Sequence, residues 1–294
     1  MLLAGYRTLA RSEMTSINRS APETETLISP AVEGLWAQTS ELWRQRELAY
    51  FLTWKEVKVR YKQTIIGAAW AVLQPFTLMI VFALFFGRLA HIPSEGIPYP
   101  LFYFCALVPW TYLSTAVTQS TNSLASNQNL VQKVYFPRLL LPLSNVAAGL
   151  LDLVIALALL GAMVVYYGYG FRLTLLWLPV FTAVAVLTAA ATSVWTSALN
   201  AVYRDLRYAV PVALQLWLFV SPVAYPTSLV PPAWRFAYEL NPMAGVVEGF
   251  RWCLTGAGTP PGLPFATSVL IALLVLLGGL RHFRRSESTL ADVV

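Results

Sequence analysis

Charge is the scarcest property of this sequence. Asp, Glu, Lys and Arg make up 12% of its 294 residues, against roughly 25% in a soluble domain. With 57% of residues hydrophobic, little room is left for a separate soluble domain, and the composition predicts an all-α integral membrane protein. Histidine and cysteine are nearly missing, with two of each. No Cys-x-x-Cys and no Cys/His cluster occurs, which argues against a metal site. No glycine is followed by lysine, so a P-loop for ATP is excluded. Gly-x-Ser-x-Gly and His-Glu-x-x-His are absent, and His91 and His282 both fall at expected membrane edges. Catalysis within the chain, a resident cofactor and a nucleic-acid partner are therefore not expected. An integral-membrane glycosyltransferase or polymerase would need acids or histidines in large loops. The outer loops offer mainly Glu95, Glu239 and Glu248.

What is present is organised around residues 48–87. Their first part is crowded with cations: Lys55, Lys58, Arg60 and Lys62. Residues 63–87 then hold no ionisable side chain, and at about 1.5 Å per residue they make roughly 37 Å of helix, more than the roughly 30 Å hydrocarbon core of a bilayer. Upstream of this junction, Tyr50, Trp54, Val57 and Tyr61 recur at helical spacing beside a stripe of Lys55, Lys58 and Lys62. That pattern fits an amphipathic helix over 41–62 lying in the membrane interface. Glu56 to Lys62 also alternates as a strand would, but no partner strand is evident.

Residues 1–40 read as a flexible cytoplasmic extension, and the apolar run at their start is too short for a signal peptide. Six spans are expected at about 64–87, 100–122, 140–167, 173–199, 208–226 and 263–280, followed by a cytoplasmic tail over 286–294. A kink is expected in the first span at Gln74-Pro75. The segment 227–262 is too interrupted to span and too apolar for an ordinary loop. Two short re-entrant helices dipping into the outer leaflet fit it best, since irregular backbone at that depth needs protein or water around it. The positive-inside rule orients the chain. With both ends and the 2–3 and 4–5 loops in the cytoplasm, 16 Lys and Arg lie inside and 4 outside.

Asp152 is the sole carboxylate well inside an expected span. It reads either as a relay or gate residue or as a structural acid bonded to a neighbouring helix. Cys105 and Cys253 both fall near the outer face, where they could pair or remain two small apolar residues. Spans 1 and 5 are rich in rings: Trp70, Phe76, Phe82, Phe85 and Phe86 on one, Trp217, Phe219 and Tyr225 on the other. Such rings serve either as lipid-facing packing or as stacking platforms for the C–H faces of sugars.

Several segments together resemble the membrane subunit of the ABC-type-2 polysaccharide exporters. They are Lys58-Val-Arg-Tyr-Lys62 with Gly67 and Trp70-Ala-Val-Leu-Gln-Pro75; Lys133-Val-Tyr-Phe-Pro-Arg138; Tyr203-Arg-Asp-Leu-Arg-Tyr208; Gln215-Leu-Trp-Leu218 with Ser221-Pro222 and Tyr225-Pro226; and Asn241-Pro-Met with Glu248-Gly-Phe-Arg-Trp252. Their order and spacing carry the resemblance, over about residues 40–285. It implies a transmembrane domain over 41–285, a homodimer in the inner membrane, two separate ATPase subunits that hold ATP and magnesium, and an undecaprenyl-linked glycan as cargo. The rings of spans 1 and 5 would line the conduit. Lys58, Arg60 and Lys62 would meet the lipid pyrophosphate at the cytoplasmic entrance, or serve topology and headgroup binding. Asn129, Gln132 and Lys133 would couple to the ATPase. Trp234, Tyr238, Glu248, Arg251 and Trp252 would belong to the outer gate. A permease of the same architecture for a drug or haem is the alternative.

Overall fold

The computed structural model describes residues 42–62, 67–133, 136–258 and 260–293. The expected extension over 1–40 lies outside them, as do residues 63–66 at the start of the first expected span. Among the described residues there are helices and no strands. Helix α1 is Arg46–Tyr61. After a 3-10 turn at Gly67–Ala69, α2 covers Trp70–Phe82 and continues as a π-helix over Ala83–Leu89. Then come α3 (Tyr99–Ser126), α4 (Gln128–Lys133) and α5 (Leu140–Tyr166). Helix α6 (Leu178–Val202) follows a 3-10 turn at Leu173–Trp177. The chain finishes with α7 (Leu206–Val220), α8 (Pro232–Glu239), α9 (Pro242–Thr255) and α10 (Leu263–Val293).

Five of these are long and apolar enough to cross a membrane: Trp70–Leu89, Tyr99–Ser126, Leu140–Tyr166, Leu173–Val202 and Leu263–Ser286. The expected fifth span differs. Helix α7 has 15 residues, about 22 Å of rise, short of the roughly 30 Å hydrocarbon thickness. It stops because Ser221 precedes Pro222, and the proline ring drives the residue before it out of the helical region. Ser221 is extended, with φ −97° and ψ 155°. Among the described residues the first spanning helix begins at Trp70, and Pro75 falls in its second turn rather than near the middle. The irregular stretch lies further on, at 83–89, where the Ala90 N–H reaches back five residues to the Phe85 carbonyl at 2.9 Å. The last helix does not stop near residue 280 but continues to Val293.

Helix α3 is the axis of the bundle. From Leu101 to Leu107 no side chain reaches the surface, and α2, α5, α6, α7 and α9 all pack on it. Over residues 101–110, burial on every side explains why the apolar residues show no helical stripe. Helix α10 packs on α6 and α9, and α1 packs on α5. Helix α9 is short yet largely buried. It sits close to α6 because Gly249 has no side chain; a Cβ there would collide with the Phe181 ring. Gly256 ends it in the left-handed region, φ 72°, a conformation favoured for glycine.

Candidate functional site

Two contacts fix opposite ends of α3. Lys55 of α1 donates to the Asn127 side chain at 2.5 Å, just past the last turn. Arg251 of α9 donates to the Phe102 carbonyl near the first turn, at 3.4 Å. A polar cluster lies on the side of each of these contacts, the two meeting at mid-helix where Trp110 belongs to one and Thr111 to the other, and they are built differently.

At the α1 end the centre is Asp152 of α5. Helix α1 packs on α5, and its Leu52 is buried in one apolar cluster with Leu124, Val131 and Phe136. Its last turn then brings Arg60 and Tyr61 to Asp152. One carboxylate oxygen accepts from Arg60 Nη1, the other from the Tyr61 hydroxyl, and Arg60 Nη2 donates to Gln119 of α3. The ion pair is largely shielded, with 17% and 21% of the two side chains exposed. Burial, and next the Asp152 carboxylate, push the Tyr61 phenol well above its ordinary range, so it stays a neutral donor. A carboxylate within a span costs roughly 2.5–3.5 kcal/mol on insertion scales. Asp152 offsets that with two donors from a helix outside the bundle core.

Beside this pair is a cavity of about 260 Å³ between α1, α2, α3 and α5. Its polar wall is Arg60, Asp152, Gln119, Gln74 and Thr111. The Thr111 hydroxyl is buried with no partner among the described residues. Trp70 and Gln74, both exposed, also line the space and give it a mouth. Pro75 lines it too; its missing N–H deprives the Ala71 carbonyl, on the same wall, of its helical donor.

At the α9 end the polar groups bond to one another and to backbone carbonyls, though Arg251 Nη1 is buried with no partner among the described residues. Asn241 caps α9 by accepting from the Met243 N–H at 3.0 Å, accepts from Trp217 Nε1 at 2.9 Å, and donates to the Ser221 hydroxyl at 2.9 Å. Trp217 meets Trp110 of α3 edge to face, centroids 5.8 Å apart. Arg251 is 4% exposed. Its guanidinium lies 3.6 Å from the centre of the Phe102 ring and donates to the Val223 carbonyl at 3.2 Å. Burial lowers its pKa to about 10, so it remains a cation at neutral pH. Glu248, one turn away, is half-buried, and desolvation raises its pKa, with Thr227 and Arg251 opposing.

The residues singled out from sequence divide between these settings. Lys58 and Lys62 are exposed, Lys58 over the Trp54 ring at 5.6 Å, whereas Arg60 is engaged with Asp152. Of the rings, Trp70, Phe76, Phe85 and Phe219 are exposed on their helices. Phe82 is buried between Phe86 and Tyr103. Trp217 is tied to Asn241, and the Tyr225 hydroxyl donates to the Phe219 carbonyl at 3.0 Å. Asn129, Gln132 and Lys133 are exposed on α4; Val134 and Tyr135 of the same motif lie outside the described residues. Trp234 is exposed on α8, Tyr238 is buried against Tyr225, and Trp252 is half-buried. Cys105 and Cys253 are buried free thiols. Sequence reasoning missed Gln119 and Thr111 as cavity residues and Asn241 as a hub. Asp152 with a cation-rich helix nearby was the available signal for the first group; Asn241-Pro242, a capping residue before a helix-starting proline, was the signal for the hub.

Comparison with known proteins agrees with this architecture. The chain is 28% identical over 257 residues to the O-antigen export system permease protein RfbA of Myxococcus xanthus, covering 86% of this chain and 98% of that protein. It is 28% identical over 206 residues to an RfbA permease of Klebsiella pneumoniae, 70% of this chain and 79% of the relative. With the polysialic acid transport protein KpsM of Escherichia coli it shares 23% over 241 residues, 80% and 92% of the two chains. Residues 47–255 match the ABC-2 type transporter membrane family, and this multi-pass membrane chain belongs to it.

Proposed function

We propose that the chain is the permease of an ATP-driven exporter that moves a lipid-linked polysaccharide, of the O-antigen kind, out of the cytoplasm across the inner membrane. The observation that carries this reading is the polar cavity bounded by Arg60, Asp152 and Gln119 within the membrane bundle, with Trp70 at its mouth. A bundle that served only as an anchor would have no reason to bear the desolvation cost of that set. The names of the relatives, which export O-antigen or transport polysialic acid, point to glycan as cargo.

In this reading the protein works as a homodimer with two ATPase subunits that supply ATP and magnesium, because no P-loop exists in the sequence. Helix α7 and the turn after it complete a sixth crossing, which puts both termini in the cytoplasm, as the cation asymmetry requires. Helices α2 and α7 of both copies face the passage, and α8 and α9 form its outer gate. Helix α1 lies in the cytoplasmic interface, with Lys58 and Lys62 free for the carrier's pyrophosphate and α4 against the ATPase. The alternative, a small amphiphile as cargo, is favoured only by the size of the cavity.

Reconstitution tests the reading. The purified chain alone should hydrolyse no ATP; with the ATPase subunit it should gain activity and move lipid-linked glycan, not small dyes, into inverted vesicles. Export by the chain without any ATPase, or transport of dyes in preference to glycan, would overturn it.

A further inference from the structure

We propose that the cavity between α1, α2, α3 and α5 is a binding site for one neutral pyranose ring of the cargo, held within a single protomer. It rests on the glycan-export reading and adds to it a site apart from the passage between copies.

The chemistry of the wall selects the ligand. A metal or organic cation would need an unpaired carboxylate, and Asp152 is already neutralised by Arg60. A bare anion would take Arg60 and strand Asp152, an uncompensated charge in low dielectric. An apolar molecule would bury Asp152, Gln119 and the unbonded Thr111 hydroxyl without a partner. A polyol meets none of these obstacles, because each hydroxyl both donates and accepts. Its donors suit Asp152 and the Ala71 carbonyl that Pro75 leaves without a helical donor. Its acceptors suit Arg60 and the side-chain amides of Gln74 and Gln119. The exposed Trp70 at the mouth offers an apolar face for the C–H side of a sugar ring. At about 260 Å³, the space falls just below the range of drug-sized ligand pockets, which starts at roughly 300 Å³. That is room for a ring, not for a chain.

The test uses the full chain in lipid nanodiscs and two labelled probes: a polyprenyl pyrophosphate bearing one N-acetylhexosamine, and the same pyrophosphate without sugar. Wild-type protein should bind the sugar-bearing probe about tenfold more tightly, the worth of one or two bonds to a charged group. Two variants remove that preference by different routes. Asp152→Asn removes the charge; Ala71→Leu fills the space and leaves the Arg60–Asp152 pair intact. In both, the ratio should fall to about one; affinity for the sugar-free probe should be unchanged in Ala71→Leu and no lower than wild type in Asp152→Asn, where Arg60 loses its counter-ion. Elution profile and unfolding temperature of each variant establish that the fold is kept, and Ala71→Leu decides the matter if Asp152→Asn does not fold. No preference in wild type, or a preference that survives in a folded variant of either kind, overturns the site. The same protein joined to its ATPase separates the two proposals: glycan transport that persists while the preference survives sinks this site alone, and no ATP-dependent glycan transport in wild type sinks the export reading and this site with it.

Discussion

The two ends of α3 solve the same problem in opposite ways. Both carry polar side chains that a membrane bundle can hold only if they are partnered. At the α9 end the partners are other parts of the fold: Asn241 joins α9 to Trp217 of α7 and to Ser221, and Arg251 sits over Phe102. At the α1 end, Asp152 and Arg60 satisfy each other but border an open cavity; a buried polar atom without a partner among the described residues occurs in both clusters, the Thr111 hydroxyl here and Arg251 Nη1 there. A polar cluster that closes on itself holds helices together. One that closes around a space is arranged for something to enter. Position within the bundle does not separate these roles; the space beside the cluster does.

The largest effect expected from breaking this contrast is on stability at the α9 end. Asn241→Ala removes the cap and leaves the Trp217 N–H without an acceptor, a cost of roughly 2–4 kcal/mol. The thermal midpoint in detergent should fall, and export should fall only as folded protein does. A stable variant with lost export would mean that Asn241 acts on cargo. Next is the α1 end, where Arg60→Ala leaves Asp152 without its counter-ion. For a pair this shielded but still reachable by water, about 1–3 kcal/mol of stability is expected to go, between the values for exposed and buried pairs. Export per folded molecule should fall further, and Arg60→Lys should restore part of both. Equal losses in export and folded protein would reduce the pair to a brace.

The two tryptophans sharpen the comparison with a smaller effect. Trp217→Ala should lower stability by about 1–3 kcal/mol, since it loses the edge-to-face contact with Trp110 and the bond to Asn241. Trp70→Ala, at an exposed ring, should leave the midpoint within about 0.5 kcal/mol and lower glycan export. The reverse pattern, read from unfolding curves and transport side by side, would interchange the roles assigned to the two rings. The smallest effect is a pH slope. Glu248 has a raised pKa in the folded chain, so the native state binds its proton more readily than the unfolded state does. Its burial penalty is absent below the ordinary carboxylate value of 4.5 and grows as pH rises through the folded pKa, so stability from this residue falls with rising pH. Glu248→Gln should flatten the change in unfolding temperature measured between acidic and neutral pH; an unaltered slope would rule out Glu248 as its source.

Much of the helical scaffold was legible because uncharged runs of twenty or more residues leave few alternatives in a membrane. What failed was local. Composition extends the expected fifth span past Ser221 to about residue 226, because the run stays apolar through Val223 and Ala224 and composition is blind to the backbone break before Pro222. The π-helix at 83–89 was hidden for a related reason: Ala83 to Leu89 has nothing in its composition that distinguishes a five-residue hydrogen bond from a four-residue one. The site was legible residue by residue and not as a set. Asp152, Arg60 and Trp70 each stood out, but Arg60 and Asp152 are 92 positions apart. Only the packing of α1 on α5 makes them a pair. The chemistry of Trp217 suggests either lipid-facing packing or a stacking surface, and neither reading anticipates that its N–H bonds to Asn241.

The most direct measurement is glycan transport per folded molecule in vesicles carrying the chain and its ATPase subunit, with Asp152→Asn and Asn241→Ala compared in one assay. The account predicts that Asp152→Asn lowers this ratio by about tenfold, near 1.4 kcal/mol, while Asn241→Ala leaves it close to wild type despite a lower unfolding temperature. An Asp152→Asn protein that transports at the wild-type ratio, or an equal loss in the two variants, would contradict it.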